Sequence, residues 1–218
     1  MKKSLYVALI ATQTYAFADS LTGFYFGGSA GTEGRSTQFN DKTATAHNEY
    51  NKYKVGQTFG LHTGYGKLLQ ENFYLGGELY LYATTKHKST KTVNQNLATE
   101  NRVDYKRGVV FGLTPKIGHV FSEKTMAYAK LGVELSKDTA SYINGTNGEK
   151  LANISKIVPA FAPGFGLEHH FCNKLVGGIE YSYSIGKKIN KKFTNDAART
   201  LEAQRRSHHV MFRLSYKI

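Results

Sequence analysis

The sequence predicts an all-β chain, an eight-stranded antiparallel up-and-down transmembrane β-barrel. Three observations carry this. Apolar residues recur at every second position in eight separate segments. The side opposite them mixes glycine with charged residues, and the connections alternate between long polar stretches and short turns. A soluble antiparallel sheet turns its apolar face to a core and its polar face to water. A small barrel in a membrane inverts that: lipid meets the apolar side, and the narrow lumen is filled by the chain's own side chains.

The first segment, "GFYFGGSAG", sends Phe24, Phe26 and Ala30 outward, with Tyr25 and Ser29 inward. The second, "VGQTFGLHTGYG", carries glycines at every fourth position, as on a membrane helix face. A period of two sorts it better: Tyr53, Val55, Phe59, Leu61 and Tyr65 oppose Lys54, Gly56, Thr58, Gly60, His62 and Gly64. In the third, Phe73, Leu75, Leu79 and Leu81 oppose Tyr74, Gly76, Glu78, Tyr80 and Tyr82. The fourth sets Val109, Phe111, Leu113 and Ile117 against Gly108, Gly112, Thr114, Lys116 and Gly118. The fifth sets Ala127, Ala129, Leu131, Val133 and Leu135 against Tyr128, Lys130, Gly132, Glu134 and Ser136. The sixth sets Ile157, Phe161, Phe165 and Leu167 against Ala160, Ala162, Gly164, Gly166, Glu168 and His170. The seventh opposes Ile179, Tyr181, Tyr183 and Ile185 to Gly178, Glu180, Ser182 and Ser184; the last opposes Val210, Phe212, Leu214 and Tyr216 to His209, Met211, Arg213, Ser215 and Lys217.

The polar stretches at 32–52, 85–103, 138–154 and 187–206 read as long loops at one end, and those at 66–72, 122–124 and 172–174 as tight turns at the other. Outward Tyr65, Phe73, Phe121, Phe171 and Tyr216 form a girdle at the short-turn end. Tyr53, Tyr105 and Tyr183 form one near the long loops. Pro115, Pro159 and Pro163 fall inside strands, where a missing donor predicts bulges or local irregularity.

Lys2 and Lys3, the apolar run Leu5 to Ala11, and Ala16-Phe17-Ala18 follow the order of a secretory signal peptide, so residues 1–18 read as a leader and 19–218 as the barrel domain. The formal charge of +13 becomes +11 without the two leader lysines. No run of about eighteen apolar residues follows, and the single Cys172 offers no disulfide.

The segments "GFYFGGSAG", "FYLGGELYLY", "AYAKLGVEL", "PGFGLEHHF", "VGGIEYSYSIG" and the alternating end "VMFRLSYKI" resemble the small eight-stranded outer-membrane proteins. That family includes the barrel domain of outer-membrane protein A, the neisserial surface and opacity proteins, and the porin-like surface antigens and hemin-binding proteins of alphaproteobacteria. The resemblance covers the mature chain and implies the Gram-negative outer membrane. The chain departs from the family in ending on Ile218, where a phenylalanine is usual.

Inward Glu78, Glu134, Glu168 and Glu180 face inward Lys116, Lys130 and Arg213 as a lumen charge network. Glu78, Lys116, Lys130, Glu180 and Arg213 share one level, about five residues from the short turns. Lys86, Lys88, Lys91, Lys187, Lys188, Lys191, Lys192, Arg199, Arg205 and Arg206 make the long loops basic, suited to lipopolysaccharide phosphates or host polyanions. His47 and His87 are candidate haem ligands. His169-His170 and His208-His209 are adjacent and point to opposite faces. His119 and His169 have no serine partner at matching depth, and no catalytic or metal motif occurs. The reading is therefore a non-enzymatic, monomeric outer-membrane surface protein without cofactor, metal or nucleic-acid partner. A narrow porin or haem-uptake protein is the alternative.

Overall fold

The computed structural model describes residues 22–42, 47–69, 72–85, 88–93, 101–122, 124–144, 147–172, 174–192 and 199–218. They form ten strands: β1 Gly23–Lys42, β2 His47–Leu68, β3 Phe73–Thr84, β4 Lys88–Val93, β5 Asn101–Ser122, β6 Thr125–Ile143, β7 Lys150–His170, β8 Leu175–Gly186, β9 Ile189–Lys192 and β10 Thr200–Lys217. β4 continues β3 after a break, and β9 continues β8, so the ring has eight members. Every pairing is antiparallel, and β1 against β10 closes the circle from Tyr25↔Lys217 to Lys42↔Thr200. No helix among the described residues is long and apolar enough to cross a membrane; the crossing is made by strands.

The lower half is the lipid-facing barrel. On β6 the outward side chains from Ala127 to Leu135 are all apolar, and Lys137 is the first charge after them. That span matches the 9–11 residues a tilted strand needs to cross a bilayer core. The inward side is crowded, and glycine makes the room: a Cβ on Gly166 would lie 2.5 Å from Tyr128 Oη.

The polar stretches expected to be long loops are largely strand. They keep the period of two, but their polarity is reversed, because above the bilayer the outside meets water. Beside buried charges near the barrel, the inward side there carries a set of apolar side chains: Phe39, Val103, Tyr105, Ala140, Tyr142, Ile154 and Leu201 pack into one core. Tyr105, expected in the outward girdle, is buried in it. A bulge between Arg107 and Val110 shifts the phase of β5, which leaves Gly108 exposed instead of inward.

The prolines do not coincide with the bulges. The β5–β6 ladder drops Thr114 and Pro115 and resumes in the same register, from Leu113↔Val133 to Lys116↔Lys130. The β7–β8 ladder does the same around Pro163, from Phe161↔Ile185 to Gly164↔Ser182. Each outward proline removes one donor without displacing the strand.

In the upper half the ring splits. β2 leaves β3 above Thr58↔Thr84, and β7 leaves β8 above Ala160↔Gly186. No ladder joins β2 to β4 or β7 to β9 among the described residues. What stands above the membrane is two four-stranded sheets, β9-β10-β1-β2 and β4-β5-β6-β7, face to face over the apolar core, as in a sandwich.

Candidate functional site

The lumen holds two layers of paired charge. In the lower one Glu78 accepts from Lys116 at 2.6 Å, from Tyr25 at 3.0 Å, and from Arg213. Arg213 also donates to Glu180 at 3.1 Å, and Glu180 accepts from Lys130 at 2.6 Å and Tyr128 at 2.7 Å. Lys116 lies 3.5 Å from Glu168 and sits over the Tyr128 ring at 4.6 Å. The residues assigned to one level thus meet in one network bridged by Arg213.

The upper layer takes in residues missed from the sequence. Arg107 donates to Glu33 at 2.9 Å, to Glu134 at 3.1 Å and to Tyr82 at 2.8 Å. Ser184 and Tyr82 donate to Glu134, and Ser207 to Glu33. Above it Asp138 receives Ser136 and Tyr105, with Arg205 at 3.5 Å. Glu33, Asp138 and Arg205 lay in stretches read as loops; Arg107 precedes the bulge. Together Glu33, Glu78, Glu134, Asp138, Glu168 and Glu180 are matched by Arg35, Arg107, Lys116, Lys130, Arg205 and Arg213, all of them at inward positions on the strands.

Between the layers lies a cavity of about 30 Å³ lined by His62, Tyr80, Lys130, His209 and Arg213, among others. That is room for a water molecule, not a path for solutes. Purified barrel in planar bilayers is therefore expected to give no large, steady single-channel current. A stable open conductance from the intact barrel would overturn the filled-lumen description.

The basic residues expected in the loops separate into two groups. Arg205 is a correction: it is fully buried on the lumen side of β10, paired with Asp138, and cannot meet a surface ligand. Arg199 is half-buried and held by Asp41, whose carboxylate keeps the guanidinium protonated more firmly than usual. The hydrogen bond from Lys42 holds the Glu202 carboxyl below its ordinary range. Lys88, Lys187, Lys188, Lys191, Lys192 and Arg206 are exposed. Lys86 and His87 lie outside the described residues, as do the side chains of His47 and Lys91.

The outer face of the β4-β5-β6-β7 sheet adds cations not singled out in the sequence. Lys88 and Lys106 stand directly opposite each other, and Lys137 is on the next strand. Arg102 and Lys88 hold the carboxylate of Asp104, at 3.5 and 3.0 Å. Lys106 and Lys137 have no carboxylate partner among the described residues. Both lie just above the apolar belt, two residues or so beyond Val109 and Leu135.

His119 and His169 face outward; Thr125 Oγ1 lies 2.9 Å from His169 Nδ1, with no acid completing a set among the described residues. No group of three His, Cys, Asp or Glu among the described residues is placed to hold a metal ion.

Residues 4–204 match the family described as outer membrane protein beta-barrel domain. No curated protein matches the chain. Among solved structures it is similar to OprG from Pseudomonas aeruginosa, at 10% identity and a TM-score of 0.50, covering 92% of this chain and 99% of that one. It is also similar to Neisserial surface protein A, at 11% identity and a TM-score of 0.45, covering 90% and 98%. The attachment invasion locus protein Ail of Yersinia pestis, solved with the heparin analogue sucrose octasulfate, matches at 17% identity and a TM-score of 0.34, covering 86% and 98%.

Proposed function

The chain belongs to the outer membrane protein beta-barrel domain family, and from that premise we propose a non-enzymatic surface protein. Its basic extracellular half contacts lipopolysaccharide phosphates or other polyanions at the cell surface. One observation carries the reading: within the two charge layers the named carboxylates and cations are matched one for one, so those layers hold none of the chain's surplus positive charge. Much of it stands on the water-exposed outer face of the β4-β5-β6-β7 sheet, at Lys88, Arg102, Lys106 and Lys137. Directly above the apolar belt is the level of lipid headgroups, where each nearby lysine or arginine adds about 1 kcal/mol toward an anionic surface. The filled lumen speaks against a narrow porin. A haem-uptake role has no described side chain in its support. Export by the leader at 1–18 delivers the chain to this membrane.

Reversing Lys88, Lys106 and Lys137 to glutamate should weaken binding to lipopolysaccharide and heparin by more than about tenfold. Parent affinity should fall steeply between low and physiological salt, because exposed charges are screened within about 8 Å. The folded, heat-modifiable band on a gel should be unchanged, since none of the three faces the core. Binding equal to the parent would leave these residues as plain solvated charges and sink the reading.

A further inference from the structure

The split between β7 and β9 leaves backbone edges that a closed barrel does not have. Among the described residues β7 pairs only with β6 from Lys150 to Val158, and β9 only with β10. At the base of the seam the Lys187 amide donates to the Pro159 carbonyl at 2.9 Å. Further from the membrane no backbone bond crosses among the described residues. Lys191 Nζ crosses instead, donating to the Asn153 carbonyl at 3.0 Å, so the edges stand one lysine side chain apart.

That contact also fixes the direction of the free groups. In an antiparallel strand the N–H and C=O of one residue point to the same side, and alternate residues point to opposite sides. The Asn153 carbonyl points at β9; so therefore do the N–H and C=O of Ser155 and Ile157. Pro159 and Pro163 share this parity, which agrees with the gap that Pro163 leaves on the β8 side alone. Lys156 confirms that the seam is open. Its register partner is buried Asp138, and its inward neighbours Ile154 and Val158 are buried, yet Lys156 is exposed.

An unpaired edge is a template for another strand, and lysines along it discourage edges of like charge. Lys150, Lys156, Lys187, Lys191 and Lys192 surround this one, all exposed. A second copy of the chain would bring the same charges and be repelled. We propose that the β7–β9 seam is a strand-acceptor site for an extended acidic polypeptide, which pairs with β7 at Asn153, Ser155 and Ile157 and displaces Lys191 from the Asn153 carbonyl. Main-chain bonds supply the affinity of such an addition, and the lysines select an acidic side-chain pattern. The inference is independent of the polyanion reading, which uses the outer face of the sheet and needs no backbone edge.

The test uses the refolded full barrel in detergent and a labelled peptide of alternating glutamate and valine, followed by fluorescence anisotropy. A glutamate–proline peptide of equal charge and heparin serve as controls. Binding of the glutamate–valine peptide with slowed amide exchange at Asn153, Ser155 and Ile157 is expected. Ser155→Pro removes a seam donor but no backbone bond to β6, only the exposed 3.3 Å side-chain bond from Thr139 Oγ1 to Ser155 Oγ, and proline is tolerated where the N–H faces no ladder. It should weaken the peptide by more than about tenfold and leave heparin unaffected. Backbone N-methylation of the peptide should do the same without altering the protein. Equal binding of the proline peptide, equal binding to Ser155→Pro and to the N-methylated peptide, no binding at all, or occupation of the edge by a second copy would each overturn the proposal.

Discussion

Replacing Arg213 by methionine should destabilise the folded barrel by about 3–5 kcal/mol, the usual cost of removing one partner from a buried ion pair. Arg213 is buried and, among the described residues, is the one cation that donates to both Glu78 and Glu180. Its loss leaves each carboxylate with a single close lysine, Lys116 and Lys130, and leaves the layer with excess negative charge. Lipid surrounds this level, so water cannot make up the difference.

The decisive comparison is a double variant. Glu180→Gln with Arg213→Met restores the charge balance, and removing both partners of a buried pair costs less than removing one. The double variant should recover a sizeable part of the loss. With no tryptophan in the chain, unfolding is best followed by far-ultraviolet circular dichroism, or by the heat-modifiable shift on gels. If Arg213→Met unfolds at the parent's urea concentration, the network is not holding the barrel together. If the double variant is no better than the single one, charge balance is not the reason.

The lower half was legible in the sequence because one physical rule governs it throughout. Lipid demands an apolar outside, so outward residues such as Phe59, Leu131 and Leu214 announce their face. Counting from the turns then puts Glu78, Lys116, Lys130, Glu180 and Arg213 together. The upper half obeys the same period with the opposite polarity. Gly34, Ser36 and Gln38 point outward, half-buried, while Glu33, Arg35, Thr37 and Phe39 face inward and are buried. A polar alternating stretch of this kind passes for a loop when polarity alone is read. Glu33, Asp138 and Arg205 were lost to the lumen for that reason, and Arg205 was placed on the surface. Tyr105 was misplaced for another: a single extra residue reverses the face of everything beyond it. Gly108 inside the strand was the one available sign, since glycine there often marks a bulge. The splitting of the ring into two sheets has no local signature at all. It depends on where β3 and β8 break off, which only the pairing reveals.

Phe39→Ala should cost about 3–5 kcal/mol, the range for truncating a buried aromatic. Phe39 is fully buried between the sheets, at 0% exposure, with its ring edge toward Tyr105 at 6.3 Å between centroids. Its neighbour Gln38→Ala should stay within about 0.5 kcal/mol, because that side chain lies half-exposed on the outer face, away from the core. Were 32–52 a solvated loop, the two substitutions would be equally silent. The damage from Phe39→Ala should also be confined. The sandwich core is made of residues above the membrane, whereas the barrel below is held by lipid contact and by the two charge layers. Protease added outside vesicles should therefore cleave the variant in its extracellular half while the membrane-embedded strands remain protected. Loss of the whole barrel at once would show that the two halves fold as one unit. Resistance equal to the parent would remove Phe39 from the core and, with it, the two-sheet arrangement on which the β7–β9 seam depends.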